Sequence, residues 1–183
     1  MVDMMAEVVA GVRKALPKVP IGIEPNAIPR RDLERLKTSG ADELKVNVQA
    51  ASKRVFDIVC PRLEREDILR CLRDGVEVFG RGRVASNVII GLGETDDEVL
   101  DCIKELAEMG VVANLRALRV NDANARNLEG ALGSAVGVRD PTRIERLVRA
   151  QKTIFEKAGL SPRGFRTMCH RCACCDLTVG VDL

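Results

Sequence analysis

Residues 84–98 read Val-Ala-Ser-Asn-Val-Ile-Ile-Gly-Leu-Gly-Glu-Thr-Asp-Asp-Glu, and the fold turns on this stretch. Its first seven residues form an uncharged, largely aliphatic run of strand length, the composition of a strand covered on both faces. Gly91 and Gly93 then permit a tight turn, because neither carries a Cβ to restrict the backbone. Thr95 and Glu98 have capping-box spacing: the Thr hydroxyl can meet an orphan amide while the Glu reaches back to the cap. Val99, Ile103, Leu106 and Ala107 then fall on one side of a helix that Gly110 ends.

The same alternation extends outward in both directions. Upstream, residues 4–16 read as a helix stopped by Pro17, 21–24 as a short strand, and 29–40 as a helix opened by Pro29. Glu43 to Val48 reads as the next strand. Residues 63–79 then read as a helix that accepts Gly75 in its interior, at about 1 kcal/mol relative to Ala. Downstream come a strand over 111–120, a small-residue loop over 121–139, and a helix from Asp140-Pro141 to Gly159. Four strand–helix alternations imply an α/β fold with a parallel sheet and right-handed crossovers. Four such strands are few for a closed unit, since an eight-fold barrel takes about 250 residues. Either the sheet is small and open, or its edges pair with a further segment, and the second reading is favoured.

Composition sets the bounds. The chain has 183 residues, 46% hydrophobic and 31% charged, enough for one domain with a substantial core. Its net charge of +2, with both signs interspersed, gives no electrostatic case for nucleic acid or a membrane surface. Trp and Tyr are absent, so the core is aliphatic and little is available for base stacking. No apolar stretch approaches membrane-span length and no signal-peptide pattern opens the chain, which points to the cytoplasm.

Seven cysteines in such a protein are read as metal or redox ligands before disulfides. Cys60, Cys71 and Cys102 stand alone among aliphatic residues and read as small buried hydrophobes. The tail is different: Cys169-His170-Arg171-Cys172-Ala173-Cys174-Cys175 holds four thiols and the only histidine in seven positions. Thiolates favour iron–sulfur clusters or zinc, and Cys169, Cys172 and Cys175 have the two-residue gaps of ferredoxin-type loops. Cys174 is an adjacent fourth thiol; a remote ligand or a substrate sulfur is the alternative. His170 is not expected to ligate. Arg163, Arg166 and Arg171 either offset thiolate charge, meet an anionic substrate group or are simply solvated.

Two further groups suggest a ligand site. The Gly91–Glu94 turn lies at the carboxyl end of a parallel strand, where α/β sheets bind ligands, although a plain capped turn has the same sequence. Asn47 and Gln49, two apart on a strand, share a face and need polar partners that either a ligand or solvent can supply. Arg116 and Arg119, three apart, fall on opposite faces, so at most one of them reaches a ligand.

The run from Ile21 to Asn121 resembles the central and later part of a radical S-adenosylmethionine (SAM) enzyme barrel, in the biotin synthase and lipoyl synthase branch. The stretch Asn87–Glu94 is similar to that family's GxIxGxxE strand end; Ile89, Gly91 and Glu94 match, and Asn87 departs at the first glycine. Gly40–Gln49 resembles the strand whose polar residues face the cofactor, and Gly22-Ile23-Glu24 a strand end with an acidic SAM contact. The resemblance implies a partial TIM-like (β/α) barrel over 1–159 and a Cys-rich metal-binding tail over 160–183. It implies SAM contacts at Ile89, Gly91, Glu94, Asn47, Gln49 and Glu24, and an auxiliary 4Fe-4S cluster, or alternatively zinc, at Cys169, Cys172, Cys174 and Cys175. The implied chemistry is formation of a 5′-deoxyadenosyl radical, hydrogen abstraction and sulfur insertion into a small-molecule or lipoyl- or biotin-type substrate. The rival is a non-catalytic zinc-binding interaction module. The family's CxxxCxxC loop is absent from this sequence, so an N-terminal segment or a partner subunit is expected to supply it.

Overall fold

The computed structural model describes residues 1–122, 124–133, 136–137, 140–175 and 177–182. Parts of the 121–139 loop, and Asp176 and Leu183 of the tail, lie outside the described residues. In chain order the elements are α1 (Val2–Ala15), β1 (Gly22–Ile23), α2 (Arg30–Thr38), β2 (Glu43–Lys45), β3 (Gln49–Ala50), α3 (Lys53–Val59) and α4 (Arg65–Phe79). They continue as β4 (Val84–Ile90), α5 (Asp96–Met109), β5 (Val111–Ala117), α6 (Ala125–Leu132), α7 (Pro141–Ala158) and the short α8 (Met168–Cys172).

Every strand pairing is parallel. β1 pairs with β2, β2 and β3 lie end to end along one side of β4, and β5 lies along the other. Among the described residues no strand links β5 back to β1, so the sheet is an open arc: an α/β partial barrel. Because the strands progress across the sheet in one direction with right-handed connections, the crossover helices stack on one face.

That face is aliphatic. Registered pairs place Ile23, Leu44, Val84, Val88, Ile90, Val111 and Leu115 on it, all at most 5% exposed. α4 approaches so closely that a Cβ on Gly75 would lie 2.5 Å from Leu44 Cδ2. The glycine inside the helix thus lets α4 lie close against Leu44. The opposite, inner face carries Glu24, Glu43, Lys45, Asn47, Asn87 and Asn114, and the tail lies across its lower part.

Several elements differ from the sequence reading. The expected strand 43–48 is broken: Gln49 lies five positions after Leu44, whereas their partners Val84 and Val88 are four positions apart. The extra residue is a bulge, held by Val48 N–H donating to Ser86 Oγ (2.9 Å) and Asn87 N–H to Asn47 Oδ1 (3.1 Å). α3 was not expected. Ser52 caps it, and only Val55 and Phe56 are buried, too short a pattern to show a period. α6 occupies part of the expected loop; its Leu128 and Leu132 are only partly buried. β5 ends at Ala117, before Val120. The expected capping box is present: Glu98 N–H donates to Thr95 Oγ1 (3.1 Å) and Thr95 N–H to Glu98 Oε2 (2.8 Å).

Candidate functional site

The inner face is built by alternation along β2. Glu43, Lys45 and Asn47 point one way while Leu44 and Val46 point the other. Buried polar groups on such a face must find partners, and each does so differently.

Glu43 is fully buried and acts as the tail's anchor. Its Oε1 accepts from Arg83 Nη1 (3.0 Å) and the Arg166 amide (2.9 Å), and its Oε2 accepts from the Thr167 amide (3.0 Å) and hydroxyl. Arg83 also donates to the Gly164 carbonyl, and Arg166 pairs with Asp42 at 2.9 Å. Arg163 donates to the Gly180 carbonyl. Two of the three tail arginines are thus structural fasteners. Gly22 completes the seat: a Cβ there would lie 2.4 Å from Thr167 Oγ1.

Lys45 is almost fully buried, with Nζ 3.5 Å from Cys169 Sγ and 3.4 Å from Glu24 Oε1. Glu24 also accepts from Asn47 Nδ2 (2.6 Å), and Asn114 Nδ2 donates to Asn87 Oδ1 (3.1 Å). A polar chain therefore runs from Asn87 through Asn47, Glu24 and Lys45 to Cys169.

Two cavities open along this chain and share Glu24. The first, about 470 Å³, is lined by Glu24, Asn47, Gln49, Arg62, Glu64 and Asp67, with Leu63 and Ile68 as its apolar wall. Gln49 reaches it from a left-handed backbone conformation, φ +64°, just after the bulge. Such a geometry is costly for a side-chain-bearing residue and concentrates at functional sites. So Asn47 and Gln49 do share a cavity, by way of the bulge and not by the simple alternation expected of them. The second cavity, about 360 Å³, is lined by Glu24, Lys45, Asn114, Met168, Thr178 and all four tail cysteines.

Within that chamber the thiols are not clustered. Among the described residues no three His, Cys, Asp or Glu side chains stand close enough to hold a metal ion. Cys174 Sγ donates to the Cys172 carbonyl (3.0 Å), and the neighbouring Cys172 side chain raises the Cys174 pKa. His170 faces away from the chamber, buried against Phe165 with ring centroids 4.9 Å apart. Burial pushes its pKa down to about 4, offset only in part by the Val112 backbone. Cys71 and Cys102 are buried as expected, and burial drives the Cys102 thiol up to about 11, while Cys60 is half-buried.

The Gly91–Glu94 turn stands apart from both cavities. Gly91 and Gly93 adopt φ of +99° and +91°. The Glu94 carboxylate is turned inward: it accepts from the Gly91 and Leu92 amides (2.8 Å each) and pairs with Arg143 at 3.1 Å. Arg143, in the first turn of α7, also bonds Asp96 (2.6 Å) and the Glu94 carbonyl (3.0 Å). Glu94 therefore shapes the turn from inside, and Arg143 clamps it. Ile89 projects on the inner face, in register with Arg116.

The family model described as the radical SAM superfamily matches residues 2–106, more than half of the chain. The chain belongs to that superfamily. Lipoyl synthase from Haemophilus influenzae (strain KW20 / Rd) is 31% identical over 109 residues, covering 58% of this chain and 34% of the relative. The lipoyl synthase of strain 86-028NP gives the same figures. Coproporphyrinogen III oxidase from Escherichia coli, a radical SAM enzyme, superposes with a TM-score of 0.64 at 17% identity, over 87% of this chain and 38% of its own. The match thus spans about a third of the length of the curated relatives, and the structural likeness concerns the fold.

A radical SAM protein must accommodate SAM and an iron–sulfur cluster, and the residues here fit in chemistry. The first cavity combines carboxylates and amides suited to a cationic, hydroxyl-rich ligand with one apolar wall. The second offers four soft sulfur donors in one chamber. Sequence reasoning missed Glu43, Lys45, Asn114 and Arg143. Charged residues alternating with Leu and Val in 43–48 were the available signal for the first two.

Proposed function

We propose that this chain is the cofactor-facing part of a radical SAM enzyme of the lipoyl synthase kind. Glu24, Asn47 and Gln49 contact SAM in the first cavity. Ile89 and the Gly91–Glu94 backbone form the adenosine shelf, with Glu94 acting through the turn that it holds. Cys169, Cys172, Cys174 and Cys175 hold an auxiliary 4Fe-4S cluster in the second cavity.

When bound, the cofactors supply reductive cleavage of SAM to a 5′-deoxyadenosyl radical, with sulfur available for insertion into an unactivated carbon of a small-molecule or lipoyl-type substrate. The chain's own residues orient and shield. Lys45 Nζ, 3.5 Å from Cys169 Sγ, sets a buried hydrogen-bond donor beside that ligand. The Glu24 carboxylate lies between the two chambers and faces both. The cluster that binds SAM directly needs a CxxxCxxC loop from another segment or subunit.

One observation carries this reading: Glu24, Asn47 and Gln49, three of the residues expected to meet SAM, and the cysteines expected to meet iron line adjoining cavities on one polar face, with Glu24 common to both. Anaerobic reconstitution with iron and sulfide tests it. A brown protein with sulfur-to-iron charge-transfer absorption, lost when the four tail cysteines are changed to Ala, is expected. A colourless protein holding one equivalent of zinc supports the rival metal-binding module instead.

A further inference from the structure

Among the described residues, Lys45 is the one lysine or arginine that is buried. Stability alone does not explain it, since an apolar side chain in place of a buried ion pair is often neutral or stabilising. Its neighbour on the same face, Glu43, is not its partner: both Glu43 oxygens are taken by Arg83 and the tail. Lys45 Nζ stands instead between two other acceptors, Glu24 Oε1 at 3.4 Å and Cys169 Sγ at 3.5 Å. The contact to Glu24 exceeds the usual N–H···O range, so the carboxylate holds this donor loosely.

Glu24 is shared in turn. Its Oε1 accepts from Asn47 Nδ2 at 2.6 Å on the wall of the first cavity, and its side chain remains 48% exposed. A cationic or hydroxyl-bearing ligand in that cavity therefore competes with Lys45 for the carboxylate. Whatever hold Glu24 gives up passes to Cys169, the other acceptor that Nζ reaches. Hydrogen bonds to ligating sulfur withdraw electron density and raise the reduction potential of an iron–sulfur cluster.

We propose that Lys45 is a positioning residue that couples the two cavities, a donor divided between Glu24 and Cys169. A ligand that engages Glu24 in the first cavity moves the donor towards Cys169 and makes a cluster in the second easier to reduce. Linkage makes the effect mutual, so the reduced cluster tightens the hold on that ligand. This rests on the functional reading for one point, that the tail cysteines hold a cluster.

A redox titration of the full chain, reconstituted with iron and sulfide and followed by its charge-transfer absorption, tests the coupling. Lys45→Met removes the donor at similar length, and the half-exposed Glu24 turns to solvent in its place. At a fixed solution potential the ratio of reduced to oxidised cluster should fall about tenfold, equal to about 59 mV for one electron. Lys45→Arg keeps a donor and should recover most of that loss. Glu24→Gln weakens the competing acceptor and should raise the ratio about threefold in the wild type, but not in the Lys45→Met background. An equal Glu24→Gln effect in both backgrounds would mean that the carboxylate acts by charge alone, and would overturn the coupling, as would an unshifted Lys45→Met. Asn47→Ala changes no charge and leaves Glu24 Oε1 to Lys45, so it should lower the ratio. An unchanged ratio there overturns the coupling even where Lys45→Met takes up no iron. Iron content separates the two readings. A wild type that binds iron but gives these null results sinks the coupling alone, and a wild type without iron sinks the functional proposal and the coupling with it.

Discussion

The two faces of the sheet solve opposite problems with alternate residues of the same strands. On the outer face Leu44, Val84, Val88 and Leu115 are buried by aliphatic contact with the helices, and any well-packed apolar set would serve. On the inner face Glu43, Lys45, Asn87 and Asn114 are also buried, yet each has a named polar partner. Aliphatic burial requires volume, whereas polar burial requires particular atoms at particular distances. The outer face therefore accounts for the fold and the inner face for the site.

The largest effect is expected from the outer face. Leu44→Ala removes a fully buried side chain from the centre of the sheet and should cost about 2–5 kcal/mol in chemical denaturation. Gly75→Ala should cost about 1–3 kcal/mol by overpacking, despite the better helix propensity of Ala. Because the clash is with Leu44 Cδ2, combining the two substitutions should cost less than their sum, and strict additivity would show that the close approach is not the cause.

Smaller effects distinguish the site regions. Arg143→Ala removes the external clamp on Glu94. Exchange of the Gly91 and Leu92 amides should accelerate roughly tenfold, equivalent to about 1.4 kcal/mol, with little change at β4. Unchanged exchange would mean that Glu94 holds the turn unaided. The mildest change concerns Asp42 at the α1–tail junction. Burial would raise its pKa, but the Ile21 amide and Arg13 guanidinium outweigh that and hold it below the usual carboxylate value. A depressed carboxyl pKa contributes stability above the ordinary range, and that stability is lost as pH falls through it. The thermal midpoint should therefore drop below about pH 4 more steeply in the wild type than in Asp42→Asn.

Much of this was legible in the sequence, and the exceptions have physical causes. β4, its capped helix α5 and the strand–helix alternation follow from periodicity and Thr95–Glu98 chemistry, which are local. The bulge at 46–48 depends on Ser86 and Asn87 of another strand, so no local pattern announces it. α3 and α6 bury too few side chains to leave a period. In the tail the cysteines were conspicuous, but the anchor was not. Glu43 lies more than 120 positions from the amides it receives, and only the fold brings them together.

That anchor is where the account is most directly tested. Hydrogen exchange at the Arg166 and Thr167 amides, compared between the wild type and Glu43→Gln, asks whether the polar face exists to hold the tail. The substitution keeps the volume but halves the acceptor capacity. Exchange at both amides should accelerate at least tenfold, and should spread to the cysteine segment while β4 and β5 remain protected. Equal exchange in the two proteins would mean that the tail is held by something else and that the inner face was not built around it.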